Sequence, residues 1–311
     1  VLDELALRDP GEGRLTLAGR LAAGDTVDAR LVASRVALAD LAWLAPRERP
    51  IGGRLGATVR LHGTRTAPAL DLAAQVDALA VGETRLGDAR TTATYRGTRL
   101  DVTGGIVDGA REPLALAASF EADASLAGLP RVRRDARLSG SLRLDSLGLG
   151  VVEALTPQLV RADGRLVGSL ALGGTPAAPR ASGTIGLRDG SATFPALGVR
   201  MQGMTGTLDF RGDSVLLRQL QVLGTGPRGG AATLDGVVGF AQLDRPTFDV
   251  AVRAANLRVL DRPRIATLNV STLGEGVRVR GATDGARVAG SFLIPRGDIA
   301  IPELGVAKNL V

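Results

Sequence analysis

The chain has no cysteine, which excludes disulfide frameworks, thiolate metal sites and cysteine nucleophiles. It has one histidine, His62, on the polar parity of its segment. That leaves no histidine metal cluster and no assembled Ser–His–Asp arrangement. Of the 38 basic residues only Lys308 is lysine. The arginines fall about once per strand, opposite the apolar parity, as at Arg30, Arg54, Arg60, Arg143 and Arg165. Aromatics make up 3%: six Phe, Trp43 and Tyr95. A nucleic-acid groove needs clustered basic residues with interleaved rings, and neither is present. No apolar run reaches 18 residues; the best, Leu147 to Val160, is cut by Glu153 and Pro157. The opening Val1–Glu4 is charged and lacks Met, so no signal peptide is read there. The chain reads as a piece of a longer protein, beginning and ending within a strand array.

What is present is Ala, Val and Leu in alternation, with 42 Gly and 15 Pro in 311 residues and a net charge of +6. From Gly164 to Phe240 nearly every second residue in the well-defined pieces is apolar. On a strand this gives one oily face and one polar face. The pieces are separated by Gly-Gly-Thr-Pro, Arg-Asp-Gly, Arg-Gly-Asp and Thr-Gly-Pro-Arg-Gly-Gly, all turn formers. The expectation is an all-β chain of roughly twenty short antiparallel strands, with Leu38–Leu44 as one or two turns of helix before Pro46. A last strand is expected at Ile299 and Ile301.

Parity gives a candidate interior set: Leu55, Val59 and Leu61, then Leu166, Leu170 and Leu172. Ile185 and Leu187 follow, then Leu208 and Phe210, then Leu234, Val238 and Phe240. Phe248, Val250 and Val252 continue it, and Phe292 and Ile294 close it.

The arrangement repeats. Asp135-Ala136-Arg137-Leu138 answers Asp28-Ala29-Arg30-Leu31 at an offset of 107, and Leu155-Thr156-Pro157 answers Leu44-Ala45-Pro46 at 111. Gly164-Arg165-Leu166 answers Gly53-Arg54-Leu55. Two diverged units, about 28–134 and 135–246, with partial units 1–27 and 247–311, imply stacked elements sharing one buried face. One continuous body over 1–311 is expected.

Several pieces resemble sites without their context. Gly224 to Gly229 fits G-x-G-x-x-G, but a strand pattern follows where a dinucleotide site needs a helix. Asp209 and Asp213 flank a turn and do not form a carboxylate pair for glycoside chemistry. Asn269-Val270-Ser271 is a formal sequon, and Trp43 reads as a plug of the short helix. No catalytic residue, metal or cofactor is expected.

The oily face must be covered. A second sheet could do so, giving a filled sandwich or solenoid. Alternatively the sheet curls into an incomplete tube whose inside is covered by a guest. The facing residues are small or medium, with Gly56, Gly104, Gly140 and Gly168 among them. Composition alone leaves both open.

The same pieces carry a resemblance. Gly164-Arg165-Leu166, Leu170-Ala171-Leu172, Gly174-Thr175 with Pro179, and Gly183-Thr184-Ile185-Gly186-Leu187-Arg188-Asp189-Gly190 stand in an ordered pattern. Leu208, Phe210, Gly212, Gly229–Gly236 and Val288–Pro295 continue it. This order resembles the TamB family of AsmA-like envelope proteins. The resemblance implies a β-taco, an elongated open β-groove, whose apolar interior carries phospholipid acyl chains between membranes and supports outer-membrane protein assembly. It implies a non-enzymatic periplasmic protein of a Gram-negative bacterium. An N-terminal inner-membrane anchor, absent here, and an Omp85-type barrel partner contacted through other regions are implied too. The competing expectation is a structural or chaperone-like scaffold that captures barrel strands by β-augmentation.

Overall fold

The computed structural model describes residues 2–8, 13–21, 25–44, 50–82, 84–123, 131–132, 135–155, 159–226, 229–241 and 245–299. The strands are β1 (Leu2–Arg8), β2 (Arg14–Leu21), β3 (Thr26–Ala37), β4 (Ile51–Thr64), β5 (Pro68–Val81), β6 (Thr84–Arg96) and β7 (Arg99–Asp108). β8 (Arg111–Asp123), β9 (Arg131–Val132), β10 (Ser139–Gly148), β11 (Val160–Thr175), β12 (Ala178–Phe194) and β13 (Val199–Gly212) follow. β14 (Ser214–Gly224), β15 (Ala231–Gly239), β16 (Thr247–Ala255), β17 (Leu257–Arg262), β18 (Ala266–Ala282) and β19 (Gly285–Ile299) complete the set. Leu38–Leu44 is helical as expected, but as a 3-10 segment kinked at Leu41. One α-helix, α1, spans Gly150–Leu155.

Among the described residues eighteen strands form one open antiparallel sheet that does not close into a barrel. β1 to β8 pair in order, β8 pairs with β10, and the order continues to β16. β16 and β17 both pair with β18, which pairs with β19. β9 adds two residues at the end of β8. At the usual strand spacing the stack is on the order of 80 Å long.

The strands are longer than expected: β12 and β18 have 17 residues each. Val288 to Ile299 lies in the single strand β19, not in two; Ile301 is outside the described residues. The reason is a line of bulges. A bulge adds one residue to one strand, so the apolar spacing jumps from two to three and one strand reads as two pieces. Register shifts fall between Ala33 and Val36, Val76 and Leu79, Leu144 and Leu147, and Leu217 and Leu220. In each gap one non-glycine residue has positive φ: Arg35 (54°), Ala78 (51°), Ser146 (61°) and Gln219 (46°). On intervening strands glycine takes that conformation, at Gly53, Gly87, Gly164 and Gly203. The bulges line up across neighbouring strands as a crease, and bulged strands bend.

The backbone amides freed at the crease are partly retained by side chains. Ala78 N–H donates to Asp88 Oδ1 at 2.9 Å, and Gln219 N–H to Asp235 Oδ1 at 2.8 Å. Asn256, also at positive φ, donates its N–H to Ser271 Oγ at 2.8 Å.

The surface shows that the sheet stays open. The chain exposes 19780 Å², where a compact monomer of 31.9 kDa would expose about 12,000 Å². Among the described residues no large side chain is fully buried. A filled sandwich would bury many.

Asp235→Ala removes one crease acceptor. It is expected to lower stability by about 0.5–1 kcal/mol in urea unfolding, and Asp235→Asn to recover part of that. No loss with Ala would show that water replaces the carboxylate at no cost.

Candidate functional site

Directly opposed residues of paired strands share a face. One row runs from Leu55 through Val76, Ala89, Ile106, Leu114 and Leu144 to Gly168. It continues through Ile185, Leu208, Leu217, Gly236, Val250 and Val279 to Val288. That is an apolar line across the sheet from β4 to β19 without one polar residue. A parallel row joins Leu142, Leu170, Gly183, Phe210, Val215, Val238 and Phe248.

The sequence candidates fall on this face. Leu55, Ile185, Leu208 and Val250 are in the first row; Leu170, Phe210, Val238 and Phe248 are in the second. Val59 pairs with Leu31 and Leu72, Leu61 with Leu70, and Leu172 with Gly140 and Ala181. Leu166 pairs with Leu187, and Leu234 with Val252. Leu170 and Ile185 are buried, while Ser169 and Ala171 on the other parity are exposed. Phe240 lies just past β15, its N–H bonded to the Asp213 carbonyl. Phe292 and Ile294 stand apart: on β19, which no further strand among the described residues follows, they are 56% and 48% exposed.

Two elements cross the apolar face, and periodicity gave no warning of either. α1 packs on β11 and reaches β6, four strands away in the sheet. The approach is close, since a Cβ on Gly150 would lie 2.8 Å from Thr84 Cγ2. Val151 packs there against a buried cluster of Ile106, Leu144, Leu147, Leu170 and Ile185. The available signal was the 155–157 match to the end of the first helical piece.

The second element is β17, a continuation of β16 beyond the corner at Asn256. Asp261 N–H donates to the Leu197 carbonyl (2.9 Å), and Arg262 Nη2 to the Pro195 carbonyl (2.7 Å). A side chain on Gly198 would run into the Asp261 carbonyl. Beneath β17, Leu257 is buried with Val199, Met201, Val222 and Ala232. Asn269, 3% exposed, holds the corner by donating Nδ2 to the Asn256 carbonyl at 3.0 Å. Its burial also takes the sequon out of solvent.

The opposite face is charged. Asp209 accepts from Arg211 and Arg218, and Asp235 pairs with Arg253. Arg278 grips Asp249 through two bonds of 2.6 and 2.7 Å, and Arg280 adds a third contact at 2.9 Å. Arg278 first, then Arg280, hold the Asp249 carboxyl down from 3.8 to about 2. His62 sits on this face 3.9 Å from Asp71, beyond hydrogen-bond reach. Asp209 is committed to its arginines, and β15 begins at Ala231, so a strand and no helix follows the G-x-G-x-x-G run. Among the described residues no group of three or more potential metal ligands converges. The Trp43 side chain lies outside the described residues, as do Pro46 and Pro157.

Residues 3–228 match the family model of the TamB C-terminal domain. The chain belongs to the TamB family. The matched range takes in β1 to β14, the crease and α1, and stops before β15 and the β17 crossing. Membership associates this TamB-family sheet with transport and assembly components of the Gram-negative envelope, acting in outer-membrane protein assembly and lipid transport. No curated protein and no solved structure gave a match to the chain. Among the described residues no helix is long and apolar enough to cross a membrane.

A carboxylate with a depressed folded pKa stabilises above its unfolded pKa and loses that contribution as pH falls through the folded value. For Asp249 the window runs from about pH 4 down to about 2. The stability advantage of the native chain over Asp249→Asn is expected to shrink across that window in urea titrations. A constant advantage between pH 4 and 2 would show that the Arg278 grip contributes nothing.

Proposed function

We propose that this sheet is a segment of a lipid conduit in an envelope-spanning protein. It passes phospholipid acyl chains between the inner and outer membranes and so supports outer-membrane assembly. The observation that carries the reading is the unbroken apolar row from Leu55 to Val288 on a face that no second sheet among the described residues covers. An acyl chain of about sixteen carbons prefers such a face to water by roughly 10 kcal/mol, at ~0.8 kcal/mol per methylene. Lipid moves along the row because every strand offers the same surface to the next.

In this reading the whole protein is held at the inner membrane through a region outside this chain and works in the periplasm. It meets an Omp85-type barrel through other parts. The chain acts as one continuous trough of two units, about 28–134 and 135–246. In support, the 3-10 helix and α1 each follow a bulged strand, β3 and β10, on the same rim. A scaffold that binds barrel strands by β-augmentation is the second reading. It is favoured by β19, a fifteen-residue edge whose residues are all exposed.

Phe210→Glu tests the conduit. Phe210 is half-buried in the second row opposite Gly183, and the neighbouring Ser182, opposite Arg211, is exposed on the outer face. A carboxylate in the row loses hydration and spoils burial of the acyl chain beside it. Phe210→Glu is expected to stop lipid photocrosslinking beyond β13 while Ser182→Glu leaves it unchanged, both folded by circular dichroism. Equal lipid occupancy in the two variants would remove the conduit and leave the scaffold ahead.

A further inference from the structure

A cavity of 410 Å³ lies where α1 approaches β6. Its apolar wall is Leu86, Leu147 and Val151, the side chains that also close the buried cluster of the trough. The cavity therefore abuts the trough interior. Its lining also carries four charges from three places in the chain. Arg85 comes from the start of β6, Asp108 and Arg111 from the β7–β8 turn, and Asp145 from the residue before the Ser146 bulge.

These four are exposed, and among the described residues none of their side chains forms an ion pair or hydrogen bond. Some charges of the sheet are paired, Asp71 with Arg96, Asp209 with Arg211 and Asp249 with Arg278. Single arginines such as Arg54 and Arg60 stand without a partner among the described residues on the outer face. What sets these four apart is that both signs line one apolar-walled cavity. Two cations and two carboxylates left unmatched around one apolar cavity are an array that a ligand of both signs would complete.

We infer that this cavity is a headgroup site for a zwitterionic aminophospholipid, a deepening that rests on the conduit reading. Arg85 and Arg111 receive the phosphate, since guanidinium groups donate in a planar fork that matches its oxygens. Asp108 and Asp145 receive the ammonium, since carboxylates accept its N–H bonds. The acyl end lies along Leu147 and Val151 into the trough. A purely anionic headgroup meets two carboxylates without reward. A quaternary ammonium has no N–H to donate to them.

Binding of dihexanoyl phosphatidylethanolamine to the 311-residue chain, measured by calorimetry, tests the site. The phosphatidylglycerol and phosphatidylcholine analogues and free phosphoethanolamine are its comparators. Phosphatidylethanolamine is expected to bind about tenfold more tightly than either comparator lipid. The Arg85→Ala/Arg111→Ala double variant should weaken it at least about tenfold. Asp108→Asn/Asp145→Asn should abolish its preference over phosphatidylglycerol. Equal binding of all three lipids, or unchanged affinity in both double variants, overturns the site. Phosphoethanolamine binding as tightly as the lipid overturns the amphiphile in favour of a free small solute. Phe210→Glu separates the two levels, because Phe210 does not line the cavity. If crosslinking along the trough obeys Phe210→Glu while headgroup selectivity is absent, only the cavity assignment falls. If selectivity is present while Phe210→Glu and Ser182→Glu behave alike, the conduit falls and the headgroup site stands alone.

Discussion

The structure depends on parity being conserved from strand to strand. An antiparallel ladder puts directly opposed residues on one face, and a slip of one residue would send a whole strand's apolar set to the other side. Here the rule holds from Leu55 on β4 to Val288 on β19, through thirteen successive pairings. The bulges respect it. Each inserts one residue, and the apolar spacing stretches to three at the same point, so Leu147 and Leu220 remain on the face of Leu144 and Leu217. Without that matching, the bend and the apolar face could not coexist in one strand.

The crease turns a two-faced sheet into a trough. Positive φ costs a non-glycine residue on the order of 1 kcal/mol or more, and it persists where the surroundings fix it. Alternate strands use glycine instead, and carboxylates or a hydroxyl from the neighbouring strand take up some of the freed amides. The charged face meanwhile stays in water, where pairs such as Asp209–Arg211 contribute little to stability. They keep the outer face soluble and apolar contact on the inside.

Coverage of the apolar face is uneven. α1 and β17 cross it at two places, and there the chain's own side chains are buried. Between and beyond the crossings the rows are half-buried as far as Val279 and exposed at Val288, which is why the exposed area is so far above that of a compact monomer. The lining is shaped partly by small residues, as in the Ala57–Ala74–Thr91–Gly104 stretch. That gives room above the floor where larger side chains would fill it.

The sequence by itself determined the faces. Alternation placed Leu170 and Ile185 inside and Ser169 outside, and the turn formers placed the hairpins. Those are local properties: side-chain direction on a strand follows from position alone. The bulges were in reach too, since Leu144–Leu147 and Leu217–Leu220 break the period visibly, but a spacing of three reads locally as the end of one strand and the start of another. Only the tertiary structure decided what meets across the trough. Gly150 touches Thr84, and Arg262 reaches the Pro195 carbonyl 67 residues away. Arg85, Asp108, Arg111 and Asp145 come to one cavity. Those contacts depend on curvature summed over many strands, each adding a small twist and a bend at its bulge. No single segment contains that sum, so no local pattern reveals it.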